Sequence, residues 1–273
     1  MPVSALLLVL TAAFVHALWN ILLARAKDPE AATAVALVVA ELAFAPVAWV
    51  FWRADHDVWP YIAGSAALHL VYFVLLAAAY RRAELSVVYP LARGTAPVLV
   101  LVVGVAAFGA SHSTGQVLGV CLVALGVLLV RGLRRPAQGN GVAFGLVIAC
   151  CIAAYTLNDN AGVDHANPIA YLEAVLLVPT VLYASGTAAR KGPRALRAEV
   201  SFSVVLAGFA TFGAYALVLA ALARAPAAPV AAVRETSVVI AAALARILLR
   251  ERVGPARLAG AVLVAGGVAL LSL

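Results

Sequence analysis

The chain has 273 residues, 65% of them hydrophobic and only 11% charged, with a mean hydropathy of +1.05. Ordinary soluble domains carry about a quarter charged residues, so a water-soluble globular fold is excluded. The net charge of +7 does not point to nucleic acid, because the basic residues fall in short clusters between apolar runs, where they set membrane orientation.

Ten apolar runs follow one another, at 4–24, 33–52, 60–80, 85–109, 114–131, 141–160, 168–186, 202–222, 228–248 and 255–272. A span takes about 20 residues, so the expected fold is an all-α integral membrane protein of about ten helices. Strands do not fit, since the runs lack alternation and a backbone in lipid must satisfy itself. The first run has no basic segment before it and continues into HALWN, which reads as a retained helix and not a signal peptide. Cys121, Cys150 and Cys151 lie inside apolar runs without ligand or disulfide spacing, and read as small buried hydrophobes.

Polar residues inside these runs are the candidates for function. The first run carries Trp19 and Asn20, with His16 a weaker candidate, and the second carries Glu41. The third carries His69 and Tyr72, and the fourth carries Tyr89, Arg93 and Thr95. Arg93 lies eight residues into its run, roughly 12 Å along a helix, which is near the middle of a hydrocarbon core about 30 Å thick. A charge there costs on the order of 3 kcal/mol, so it must meet a partner, a cavity or a substrate. Pro90 and Pro97 flank it, and the sequence predicts a break in the fourth helix, a common marker of a transport site.

In the second half, Asn158, Asp159 and Asp164 read as a solvated helix end, and Glu173, Tyr155, Tyr171 and Tyr215 as further polar or aromatic points. The ninth run carries Arg234, Glu235 and Thr236. Neighbours on a helix point about 100° apart, so Arg234 and Glu235 cannot simply face each other. Glu235 is expected either to carry a coupling proton or to form an ion pair with Arg93 or Glu41.

The halves resemble each other across the stretch 131–141, giving two expected units, 1–135 and 136–273. Arg93 and Thr95 match Arg234 and Thr236, and Gly119 and Gly126 match Gly260 and Gly267, each pair 141 positions apart. Glu41 and Pro46 align with Glu173 and Pro179, and Gly64 and Tyr72 with Gly208 and Tyr215, each with a one-residue slip. Five helices per unit is an odd number, so the second unit enters from the opposite side, the construction of an alternating-access transporter. Loops on one side, with adjoining helix ends, hold fifteen basic residues, from Arg25 and Lys27 to Arg257, and the other side only Arg53 and Arg224. The positive-inside rule then places both termini outside the cytoplasm.

HALWN, HLVYFVLLAAAYRRAELSVVYPLARGTAP, AAVRETSVVIAAALARILLRERV and LAGAVLVAGGVALL together resemble the drug/metabolite transporter superfamily, in its EamA-type ten-helix form. The resemblance spans almost the whole chain. LLRERV keeps the Glu-Arg ending of the family's repeats, whereas the first half has AFGASHS there. It implies two inverted EamA repeats and transport of a small metabolite across the cell (inner) membrane. Many members are thought to keep their termini in the cytoplasm, against the charge distribution of this chain.

The resulting expectation is a secondary transporter, driven by a proton or substrate gradient. Its substrate is a small molecule, more readily a zwitterion such as an amino acid than a lipophilic cation, because two arginines stand against three intramembrane glutamates. Internal duplication favours a monomer among membrane lipids. No catalytic, cofactor or metal motif is present, and an enzyme is not expected. The alternative is a non-transporting intramembrane scaffold whose polar centre is structural.

Overall fold

A computed structural model of the chain describes residues 1–24, 26–82, 85–131, 140–249 and 254–272. Arg25, Arg134, Arg135, Arg250 and Arg252 of the basic loops, and with them most of the Glu-Arg ending, lie outside these residues. The helices are α1 (Val3–Ala24), α2 (Pro29–Val50), α3 (Trp59–Arg82), α4 (Leu85–Phe108), α5 (Thr114–Arg131) and α6 (Gly141–Gly162). They continue with α7 (Pro168–Lys191), the short α8 (Pro193–Ala198), α9 (Phe202–Leu222), α10 (Ala227–Arg234), α11 (Thr236–Leu249) and α12 (Pro255–Ser272). Among the described residues nine segments are long and apolar enough to cross a membrane, one of them running through α10 and α11, and Thr114–Val130 is a shorter apolar tenth. Large apolar side chains such as Leu42, Trp49, Val178, Leu182 and Phe202 are exposed, as a lipid-facing surface requires.

The amino group of Met1 donates to the Leu271 carbonyl at 3.3 Å, so both ends of the chain lie on one side, as an even number of crossings demands. The packing also repeats. α1 packs on α9 as α6 packs on α3, α2 on α9 as α7 on α3, and α4 on α6 as α11 on α1. Two pairs map onto themselves, α2 with α7 and α5 with α12. At the second of these, a Cβ on Gly126 would stand 2.6 Å from the Gly260 carbonyl, and one on Gly267 would stand 2.7 Å from that of Gly119. Early residues of α5 therefore meet late residues of α12. The equivalent helices run antiparallel, which is what inversion of the repeats means, and only small residues permit such backbone approach.

Three expectations change here. First, α4 runs unbroken past Arg93, and the break falls in the ninth span, between α10 and α11. Around it the backbone tightens, with the Glu235 N–H bonded to the Ala232 carbonyl and the Val238 N–H to that of Glu235. Such i to i−3 bonds are 3₁₀ geometry. Four consecutive polar residues, Arg234 to Ser237, compete for the backbone there, and the Thr236 hydroxyl donates to the Val233 carbonyl at 2.8 Å. A proline in a membrane helix merely forfeits one bond, which packing tolerates.

Second, the register of α2 and α7 is set by their caps. Asp28 accepts from the N–H groups of Glu30 and Ala31, with Pro29 next, and Asn167 accepts from that of Ile169, with Pro168 next. Aligning these two starts pairs Glu41 with Thr180, and not with Glu173. Third, Gly64 faces Asn158 of α6 whereas Gly208 faces the Ala36 carbonyl of α2, so those glycines do not have equivalent neighbours.

Candidate functional site

The centre of the bundle gathers what the sequence scatters. Arg93 on α4 is 7% exposed, Arg234 at the end of α10 is 4% exposed, and Glu235 at the break is fully buried. Arg93 Nη1 donates to Glu235 Oε1 at 3.0 Å, and Arg234 Nε stands 3.8 Å from the same oxygen. One carboxylate oxygen thus lies between two guanidinium groups, while Glu235 Oε2 and Arg234 Nε have no hydrogen-bond partner among the described residues. The break explains the burial of both neighbours, which an unbroken helix would turn about 100° apart.

α1 supports Arg93 from its other side. Arg93 Nη2 contacts His16 Nε2, and Trp19 Nε1 reaches His16 Nδ1 at 3.3 Å. A neutral imidazole accepts at one nitrogen only, so His16 serves either Trp19 or Arg93 at a given moment. Asn20 donates to the His16 carbonyl at 2.8 Å and accepts from the Tyr89 hydroxyl at 3.3 Å. The Tyr89 ring lies under the Arg93 guanidinium, 5.9 Å from its centroid. Trp19, Asn20, Tyr89, Arg93, Arg234 and Glu235 therefore share one cluster, and Thr236 belongs to its backbone break. Thr95 is half-buried two residues further along α4, about 200° round the helix from Arg93, and among the described residues it makes no hydrogen bond to the cluster.

Behind the arginines is a wall of rings. Tyr155 stacks on His69 at 4.4 Å and meets the edges of Tyr72 and Tyr215 at about 6 Å. His69 is tied to its own helix, 2.9 Å from the Ser65 carbonyl and 3.2 Å from the Ser65 hydroxyl. Sequence reasoning missed Asp159. It is fully buried, not at a solvated helix end. Tyr171 donates to its Oδ1 at 2.8 Å, and Tyr215 donates to Oδ2. Because α6 continues to Gly162 and α7 and α9 close over it, the run ending at 160 concealed a carboxylate inside the bundle.

Two adjoining clefts share Tyr89 and Arg93. One is lined by His16, Asn20, Ser237 and Ala241, and the other by Tyr72, Ile148 and Ile152. The first lies toward the end of α1, the start of α4 and the end of α11, which is the side of the basic loops. The repeat equivalents of Tyr89, Ser237 and Ala241 are Val230, Ala96 and Val100, and these are at most 1% exposed. The side opposite the basic loops, where those residues lie, is also closed by bonds: the Asp55 N–H to the His165 carbonyl at 3.0 Å, the Asn167 N–H to that of Arg53 at 2.8 Å, and Asp55 to His165 side chains at 3.1 Å.

Glu41 and Glu173 are elsewhere. They lie along the α2–α7 pair, Glu41 buried and Glu173 half-buried, and neither joins the arginine cluster.

Comparison with known proteins agrees with this architecture. A solved crystal structure of a protein, 18% identical, superposes with a TM-score of 0.73 over 99% of this chain and 98% of that one, a likeness of fold. No curated protein matches the chain. The EamA-like transporter family matches at residues 3–132 and again at 139–273. With two EamA segments covering nearly all of its length, this multi-pass membrane protein belongs to the EamA-like transporter family, a family of small-molecule transporters and not of enzymes.

Proposed function

We propose that the protein is a secondary transporter of a small zwitterionic metabolite, of the amino-acid class, working by alternating access as a monomer in the cell (inner) membrane. One observation carries the reading: at a helix break in the bundle centre, on adjacent residues, a buried cation donor (Arg234 Nε) and a buried anion acceptor (Glu235 Oε2) both lack a hydrogen-bond partner among the described residues. A substrate carboxylate meets Arg234 and, by displacing Glu235, Arg93; a substrate ammonium meets the freed Glu235. Burying an unmatched polar group costs roughly 1–3 kcal/mol, so a ligand that supplies both partners at once is favoured over one that supplies a single charge.

In this reading Trp19, Asn20, Tyr72 and Tyr89 shape the cleft around the ligand, His69 and Tyr155 form its apolar back, and Thr95 and Thr236 hold the flanking turns. The units 1–135 and 136–273 act as the two counter-moving halves. Both termini lie outside the cytoplasm, supported by the fifteen-to-two distribution of basic residues between the two sides. A fluorescent protein fused after Leu273 then stays dark, and bright cells refute this orientation.

Counterflow in proteoliposomes with a panel of amino acids and of plain organic cations tests the substrate class. Exchange of zwitterions, lost in Arg234→Met with the protein still folded, supports the reading. Exchange of cations alone, or of no solute at all, refutes it.

A further inference from the structure

α2 and α7 are clasped at both ends. At one end Asp28 and Glu30 hold Lys191 at 2.6 and 3.0 Å, and Glu30 also holds Arg190. At the other, Arg53 and Ala54 meet Asn167 and Ala166 through the backbone. This antiparallel register brings Glu41 level with Pro179 and Thr180, midway along the pair. Glu173 falls about 9 Å further along, at 1.5 Å per residue.

Four side-chain oxygens on this interface have no hydrogen-bond partner among the described residues: both of Glu41, Oε2 of Glu173 and Oγ1 of Thr180. Glu41 is 6% exposed and Thr180 3%. Among the described residues no cation pairs with them. From α9 come Phe209 and Phe212, which pack on Phe44. The titratable group of α9, Tyr215, is spent on Asp159, as is Tyr171 of α7; Tyr183 packs on Phe73. Arg190 and Lys191 are held by the clasp, Arg194 and Arg197 belong to α8 beyond it, and His16 is engaged with Arg93.

An ionised carboxylate in such a place lacks every donor it needs, whereas a neutral carboxyl needs one acceptor. The same two helices also carry carbonyls without a helix donor, those of Val175 and Leu42, because Pro179 and Pro46 have no N–H to give them. A metal cation would ask for six or so converging oxygens, more than this interface offers.

We propose that Glu41, with Thr180 and Glu173, forms a proton-binding site between α2 and α7, separate from the arginine cluster and serving as the coupling position of the transporter. The role in coupling rests on the transport reading above; the proton site itself does not. The carboxylic proton leaves to water when the halves move and this interface hydrates, and returns from the other side, with no other group changed.

The test uses the full chain in lipid nanodiscs, with the proton as the only probe. Infrared difference spectra between acid and alkaline buffers should show a carboxylic C=O band that titrates. Glu41→Gln should remove most of it, Glu173→Gln a part, and Thr180→Val should shift its frequency by replacing a polar group level with Glu41 by an apolar one. A band unchanged in Glu41→Gln overturns the proposal, as does one that never titrates, or one that responds to replacing choline by sodium. Because no solute is needed, a titrating Glu41 band alongside failed counterflow would leave the proton site standing and refute transport. Working counterflow without the band would do the reverse.

Discussion

Gly126→Ala tests the antiparallel seam on which the inverted repeat depends. The added methyl group would stand 2.6 Å from the Gly260 carbonyl oxygen, 2.7 Å from Val264 Cγ2 and 2.9 Å from the Val264 nitrogen. Two of these are backbone atoms, which yield only if α5 and α12 part along their length. Overpacking costs about 1–3 kcal/mol, and two backbone contacts under 3 Å put this one in the upper part of that range, about 2–3 kcal/mol; alanine returns about 1 kcal/mol of helix propensity, so a net loss of about 1–2 kcal/mol is expected. Gly119→Ala should cost less, because it meets one backbone atom, the Gly267 carbonyl oxygen at 2.9 Å, and otherwise the movable Leu271 side chain. Gly266→Ala, with nothing within 4 Å, should be neutral or stabilised by up to about 1 kcal/mol. Unfolding in mixed detergent micelles, followed by circular dichroism, ranks the three. Equal stability of Gly126→Ala and wild type, or equal loss in Gly266→Ala, would refute the seam.

Three further outcomes are expected. Glu235→Gln should cost about 3–5 kcal/mol, since it leaves Arg93 and Arg234 buried without their shared anion, and Arg234→Met markedly less, because the Arg93–Glu235 pair survives; the reverse order in the same unfolding assay refutes the geometry. Tyr171→Phe leaves Asp159 Oδ1 without its hydroxyl donor and should cost about 1–3 kcal/mol, with a cost near zero meaning that Asp159 is not where it is described. Burial opposes ionisation of the Asp28 carboxyl, but Lys191 and the N–H groups of Ala31 and Glu30 outweigh it and hold it below the usual carboxylate range. Its contribution is therefore present at neutral pH and fades as pH falls below about 4; Asp28→Asn, which keeps the cap, should be less stable than wild type at neutral pH and match it in acid, as thermal unfolding across pH would show.

Much of the fold was legible because lipid imposes one rule on every span, so that apolar length alone marks the helices. The glycines at 119, 126, 260 and 267 were legible too, since their common spacing survives in two halves. The α2–α7 register was misread from Glu-Pro spacing, although DPE and NPI, capping residue and proline, mark both helix starts more physically. Of the central cluster, Arg93 and Glu235 were visible as charges without a place in lipid, and their pairing was among the options. The break was assigned to the prolines beside Arg93, where packing absorbs them, and not to the polar run Arg234–Ser237, where side chains contend for the backbone. Asp159 was hidden because its burial depends on Tyr171 and Tyr215, 12 and 56 positions away.

The helix break in the ninth span has a thermodynamic consequence. If the two repeats were identical, a conformation broken beside Glu235 and another broken beside Arg93 would be the same object turned over, and therefore equal in energy. In this chain α4 is whole and α10–α11 is interrupted, so the resting preference comes only from the differences between the halves. Glycine follows Arg93 where glutamate follows Arg234, and valine stands at 230 where tyrosine stands at 89. Those few substitutions act as the weights on a balance whose two pans share one shape, and exchanging them between the halves should tip the resting state toward the opposite face.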